Sequence, residues 1–257
     1  MADVHWKHRS GAGSAQFLAT EAAGLDWIRV AGGPPVPKVV ELGPGRLVTT
    51  RVVEGRPDAS MAREFGRRIA ALHGFGAASF GCPPPGAPGP HGWIGDLQMT
   101  YAARREFVPF WAEDRIAATA RLARDRGGLD AAGAREVDAF VADLLAGDVD
   151  VGPPMAPARL HGDLWSGNVL WGADGQAWII DPAAHGGHPE SDLAMLALFG
   201  VPHLGDILAG YQEVAPLADG WQGRLPLHQA WPLLVHAALF GGGYGASAIS
   251  ALRTARG

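Results

Sequence analysis

A chain of 257 residues with 47% apolar side chains has ample material for a buried core, which excludes disordered and fibrous classes. Its 21 basic and 26 acidic residues leave a net charge of −5 with no block of like charge, which excludes the broad basic face of a nucleic-acid binder and points to a small-molecule partner. The single cysteine, Cys82, excludes an internal disulfide and a multi-thiolate zinc site, and the apolar stretch from Trp231 to Phe240 is about half of the roughly 20 residues a bilayer span needs, so the expectation is a cytoplasmic protein with no membrane partner.

Val4 to His8 alternates like a strand, Ser10-Gly11-Ala12-Gly13 breaks it, and Ser14 to Val30 carries Phe17, Leu18, Ala22, Leu25 and Ile28 at helical spacing. Gly32-Gly33-Pro34-Pro35 ends that helix. Two β-rich runs follow, Val36 to Leu42 and Arg46 to Val53, joined by Gly43-Pro44-Gly45, a turn signature. A helix is expected over Ala59 to His73, an irregular loop over residues 74 to 98, and helices over Thr100 to Arg126 and Asp130 to Ala146. Gly147 to Pro157 reads as a linker. Beyond residue 190 the pattern is helical in pieces (191–199, 203–215, 225–240 and a short final helix after Gly241-Gly242-Gly243). The expectation is an α+β chain of two unequal lobes, a small β-rich one over residues 1–53 and a larger, mainly helical one over 54–257.

Residues 158 to 192 hold most of the chemistry. Leu160-His161-Gly162-Asp163-Leu164-Trp165-Ser166-Gly167-Asn168 sets His, Asp and Asn at the spacing H-x-D-x-x-x-x-N, and Ile179-Ile180-Asp181-Pro182 follows. Val169 to Trp171 and Ala177 to Ile180 read as strands about an Asp174-Gly175 two-residue turn, a register in which Trp171 faces Trp178 and Asn168 faces Asp181. An amide carbonyl and a carboxylate so opposed suit a hard cation such as Mg²⁺, and Asp163, on the loop before the first strand, is free to accept a proton from an attacking hydroxyl. The ten histidines show no zinc-ligand spacing. Only Lys7 and Lys38 are lysines among the 21 basic residues, so each is a candidate for a role that arginine cannot fill.

This block resembles the catalytic and metal-binding loops of protein-kinase-like phosphotransferases, with Asp181-Pro182-Ala183 where protein kinases have D-F-G. Within that superfamily His161 to Asn168, with Trp165 as its diagnostic letter, and Gly187-His188-Pro189-Glu190-Ser191-Asp192-Leu193-Ala194-Met195 are similar to the fructosamine (ketosamine) kinase family. Further likeness runs through Phe17 to Leu25, Ile69 to His73, Phe80-Gly81 and Gly241 to Ala248. The resemblance implies a protein-kinase-like two-lobed fold and an ATP- and Mg²⁺-dependent kinase that phosphorylates a sugar hydroxyl of a ketosamine, carried on an amino acid or a glycated protein. It implies Asp163 as base, Asn168 and Asp181 on Mg²⁺, Lys7 with Glu21 on the nucleotide, and backbone groups of Thr50 to Val52 at the adenine edge. Trp165 either stacks on the acceptor or packs; His188 and Glu190 either bind the acceptor or brace their loop; His161 and Asp192 support the catalytic loop. In the family two strands and a glycine-containing loop precede the strand lysine, whereas six residues precede Lys7 here, so a nucleotide lobe without that lid is expected. Two rival readings stay open: a kinase of the same fold acting on an aminoglycoside, a choline-like alcohol or a hydroxy amino acid, and a non-catalytic, pseudokinase-like binding protein.

Overall fold

Residues 3–257 are described by the structure, a computed structural model. Strand β1 (Val4–His8) pairs antiparallel with β3 (Arg46–Thr50), and β3 pairs on its other side with β2 (Val39–Gly43), so the hairpin predicted around Gly43-Pro44-Gly45 forms, with Gly45 at φ +74°. β2 starts at Val39 rather than Val36 because Pro35 and Pro37 have no N–H to give a ladder. Helix α1 (Ser14–Ile28) crosses behind this sheet. Its Leu18, Leu25 and Ile28 pack with Leu47 of β3 and with Phe65 and Ile69 of α2 (Ala59–Gly74), so one apolar cluster joins the β-rich part to the helical part. Asp58 caps α2 by accepting from the Met61 N–H at 2.8 Å.

Two sequence expectations are corrected between α2 and the catalytic segment. The stretch 74–98 is not irregular throughout: it closes in a hairpin of β4 (His91–Ile94) and β5 (Leu97–Thr100), turned at Gly95 (φ +53°), with Leu97 and Met99 buried and Gln98 and Thr100 exposed. Strands of four residues among so many breakers carry too little periodicity to stand out. The helix expected from Thr100 begins only at Phe107, because Ala102 N–H and Arg104 N–H bond to the carbonyls of Gly81 and Phe80, a pairing that holds the segment extended. From there α3 (Phe107–Pro109) runs into a π-helical stretch, Phe110–Ala117, and then α4 (Ala118–Asp125).

Helix α5 (Ala131–Ala146) starts on an Asp130 cap and ends at Gly147, φ +86°. Strands β6 (Ala158–Leu160) and β9 (His185–Gly187) pair with each other and enclose the hairpin β7 (Val169–Trp171) and β8 (Ala177–Ile179). Helices α6 (Pro189–Leu198), α7 (Leu204–Val214), α8 (Trp221–Phe240) and α9 (Tyr244–Arg256) complete the larger part, whose core holds Phe110, Trp111, Phe140 and Trp231. Among the described residues no helix is long and apolar enough to cross a membrane.

Candidate active site

The β7–β8 hairpin differs by one residue from the expected register. Leu170, not Trp171, faces Trp178, and Ile180 N–H donates to the carbonyl of Asn168, so Asn168 lies opposite Ile180 rather than Asp181. The turn holds three residues, Ala173-Asp174-Gly175, closed by Gly172 N–H on the Gln176 carbonyl at 2.8 Å, with Gly175 left-handed at φ +78°. Asp174 fixes that shape by accepting from Gln176 N–H and Trp178 Nε1. Asp181 therefore leaves the ladder, and at φ +53° it is one of two non-glycine residues with positive φ among those described.

That kink brings Asp181 to a junction of two cavities. The larger, about 550 Å³, lies under the β1–β3 sheet and is lined by Leu47, Thr50, Val52 and Ile180; the smaller, about 190 Å³, is lined by Asp163, Trp165, Asn168 and Trp93. Lys7, Glu21 and Asp181 line both. Lys7 Nζ lies 2.8 Å from Glu21 Oε2 and 3.1 Å from Asp181 Oδ1, a triad joining β1, α1 and the end of β8. Burial would lower the Lys7 ammonium, but the two carboxylates outweigh it and raise it. Burial lifts the Glu21 carboxyl to about 7 against the pull of Lys7, with the Asp181 charge adding to the rise. Thr50 N–H and Arg51 N–H are spent on the carbonyls of Lys38 and Asp3, so of the expected adenine-edge donors only the Val52 N–H has no backbone partner among the described residues.

Asn168 Nδ2 donates to the Asp163 carbonyl at 2.8 Å and to Asp163 Oδ2 at 3.0 Å, which commits the amide donors and leaves the amide oxygen for a cation. Burial pushes the Asp163 carboxyl up to about 7; the Asn168 bond opposes this, and the Asp181 and Asp192 charges reinforce it. The donor set around Asn168 and Asp181 is oxygen throughout and half-exposed at Asp181, which fits Mg²⁺.

Asp192 holds the loop from behind. Its Oδ2 accepts from His161 N–H and its Oδ1 from Gly162 N–H, both at 2.9 Å, while His73 Nε2 lies 3.1 Å from Oδ2. His73 in turn meets Tyr211 Oη at 3.0 Å. Burial alone would raise Asp192, but its bond with His73 and the charges of His73 and His161 lower it. His161 is fully buried; its Nε2 bonds the Ile180 carbonyl and its Nδ1 accepts from Asp163 N–H. Gly162 has φ +83°, and a Cβ there would meet the Ala183 carbonyl oxygen at 2.2 Å, so only glycine fits.

Trp165 is 39% exposed at the rim, with Phe199 edge-on to its ring. His188 and Glu190, expected at the acceptor, do not line the Asp163 cavity. Both are buried: Glu190 takes Arg224 Nε at 3.0 Å and Nη2 at 2.7 Å, and His188 caps α6, its Nδ1 accepting from Glu190 N–H, its ring against Phe107 and His228. Burial would raise Glu190, yet His228 and Arg224 bring it down to about 2, and burial drives His188 down to about 3. Sequence reading had no means to see Arg224 as the partner, 34 residues away. It also missed His73 and Tyr211, and missed Trp93 because its strand lay in the stretch read as irregular.

The fold is that of the protein-kinase-like phosphotransferases. The profile of the fructosamine kinase family matches residues 4–255, and the chain belongs to that family. A protein of Escherichia coli K12 named "Probable ketoamine kinase YniA" is 35% identical over 234 residues, 88% of this chain and 76% of its own length. One of Enterococcus faecium, also named a probable ketoamine kinase, is 32% identical over 190 residues, 74% of this chain and 65% of its own length. The crystal structure of a Thermobifida fusca chain assigned as a fructosamine-3-kinase superposes with a TM-score of 0.88 at 43% identity, covering 98% of this chain and 85% of that one. An aminoglycoside phosphotransferase solved with ADP and hygromycin B shares the fold alone, at TM-score 0.61 and 16% identity.

Proposed function

We propose that the protein is an ATP- and Mg²⁺-dependent ketosamine kinase that phosphorylates a sugar hydroxyl of the fructosamine or ribulosamine class in the cytoplasm. One observation carries the reading: the charged triad of Lys7, Glu21 and Asp181 stands between a slot of nucleotide size and a smaller cavity holding Asp163. Residues 1–53 would supply the nucleotide lobe and 54–257 the catalytic and acceptor lobe. Phosphoryl transfer asks the protein mainly for position and charge. Lys7, oriented by Glu21, binds the nucleotide phosphates, and the Val52 N–H meets the adenine edge. Asp163 accepts the proton of the acceptor hydroxyl as its oxygen forms the new bond to the γ-phosphorus and ADP departs. The Asn168 amide oxygen and the Asp181 carboxylate would hold Mg²⁺, which would supply charge neutralisation on the phosphates. Trp165, at the rim, faces the acceptor.

The experiment is ADP release from ATP with fructosyl-lysine and ribulosyl-lysine, with and without Mg²⁺, in the wild type and Asp163→Asn. The reading expects Mg²⁺-dependent turnover that falls at least about a thousandfold in the variant while ADP binding persists. Turnover only with an aminoglycoside, choline or homoserine would move the assignment to another acceptor class, and full activity of Asp163→Asn would refute the mechanism.

A further inference from the structure

The acceptor cavity has a wall that comes from the β4–β5 hairpin. Trp93, half-buried on β4, lines the same 190 Å³ space as Asp163 and Trp165, and Gly95 at the hairpin turn lines it too. The indole is held from the side of β1 and α1: its ring meets Phe17 edge-on at 5.4 Å, and Arg9, paired with Asp96 in the turn at 2.7 Å, lies 3.7 Å over the Phe17 ring and 5.5 Å from the centre of the Trp93 ring. Trp93 Nε1 is buried without a protein partner, so the ring has not been placed to satisfy its own N–H. Phe17 and Arg9 hold the ring, and the side of it that lines the cavity faces whatever fills that space.

The charges around the cavity indicate what. Lys7 is committed to Glu21 and Asp181, and among the described residues no cation lies within ion-pair reach of Asp163. Two indoles beside a partly buried carboxylate with no cationic partner among the described residues form an environment that favours an alkylammonium group, through the negative face of the ring and through the carboxylate's field. The space admits one sugar-sized group, so an amine attached to that sugar must leave along a wall.

We propose that Trp93 is a specificity-determining residue that reads the ammonium of the acceptor, and so separates amine-linked sugars from neutral ones. The inference rests on the kinase reading above and deepens it.

The test compares fructosyl-lysine with its ether analogue, oxygen replacing the amine nitrogen, in the wild type, Trp93→Leu and Trp93→Phe. Both turnover and calorimetric binding without ATP are measured, and melting temperature and KM for ATP report on folding and on the nucleotide slot. Trp93→Leu should raise KM for fructosyl-lysine by roughly tenfold, in KM rather than kcat and without moving KM for ATP. The ether, weaker than fructosyl-lysine on the wild type, should lose nothing further, and Trp93→Phe should stay within about threefold of wild type. Equal losses for amine and ether, or no preference of the wild type for the amine, would overturn the inference. Trp93-dependent binding without turnover would overturn the kinase reading alone; turnover indifferent to Trp93 would overturn the inference alone; absence of both binding and turnover would overturn both.

Discussion

Asp192→Asn isolates what the loop bracing is worth, because it keeps the side chain's shape and alters its charge and donors. The carboxylate accepts three bonds: Gly162 N–H on Oδ1, and His161 N–H and His73 Nε2 on Oδ2. The amide presents one acceptor and one NH₂ group. Placing its oxygen toward His161 and His73 retains two bonds and sets NH₂ against the Gly162 N–H, a buried donor facing a donor; the opposite flip loses two. The favoured arrangement therefore gives up one charge-assisted bond and leaves one orphaned donor at a site 1% exposed, a loss of about 2–3 kcal/mol. For a chain of this length that is a fall of roughly 5–10 °C in melting temperature. Asp192→Ala, which orphans all three donors, should cost roughly 3–6 kcal/mol. Urea unfolding at pH 7.5 with an unchanged slope measures both, and amide exchange at His161 and Gly162 should accelerate. Equal losses for Asn and Ala, or less than about 0.5 kcal/mol for Asn, would refute the account of Asp192 as an acceptor for the catalytic-loop backbone.

Gly162→Ala should lose at least about 3 kcal/mol or fail to accumulate as folded protein, since a Cβ at φ +83° meets the Ala183 oxygen at 2.2 Å; a normal urea midpoint would contradict the loop geometry. Arg224→Met leaves the Glu190 carboxylate buried without its partner and should cost about 3–5 kcal/mol, while adding Glu190→Gln should recover part of that loss, a recovery read from a double-mutant cycle. His185 and His188 are both held down to about 3 by burial, from an ordinary value of 6.5, so between those limits the unfolded chain binds protons that the folded one refuses. Their contribution is full above pH 6.5 and falls as pH drops through the window, by about 1.4 kcal/mol per pH unit for each histidine, while Glu21 and Asp163, lifted to about 7, gain stability over the same range; the histidine share is therefore read as the difference in the pH dependence of urea midpoints between the wild type and His188→Gln, and identical pH dependence in the two would contradict this. Glu190, at about 2 instead of 4.5, acts in the same direction lower down, its contribution present above 4.5 and lost toward pH 2.

Much of the architecture was legible because the information is local. The spans of α1, α2 and α5 follow apolar spacing along a few turns of chain, and in the structure Asp58 caps α2 while Asp130 and Gly147 close the two ends of α5. The block from His161 to Asp181 is contiguous, so its chemical residue types and their shared loop could be read directly, and Asp163, Asn168 and Asp181 do line one cavity. Lys7 stood out by composition, since the chain writes arginine almost everywhere else.

Tertiary structure decided where one residue's difference or a distant partner matters. Whether Asp174-Gly175 closes a two- or a three-residue turn depends on Asp174 reaching Gln176 and Trp178, and that single step moves Asp181 off the ladder and into the left-handed kink that meets Lys7. A carboxylate in a sequence does not disclose its partner: Asp192 faces His73 across 119 residues, and Glu190 faces Arg224 across 34, which removed Glu190 and His188 from the acceptor cavity and made them part of the core. Trp93 entered that cavity only because a four-residue strand among prolines and glycines found a partner strand. Helix periodicity and capping act over a few neighbours along the chain and so survive in its order. Buried polar groups must be satisfied by whatever the fold brings within about 3 Å, and that choice exists only in three dimensions.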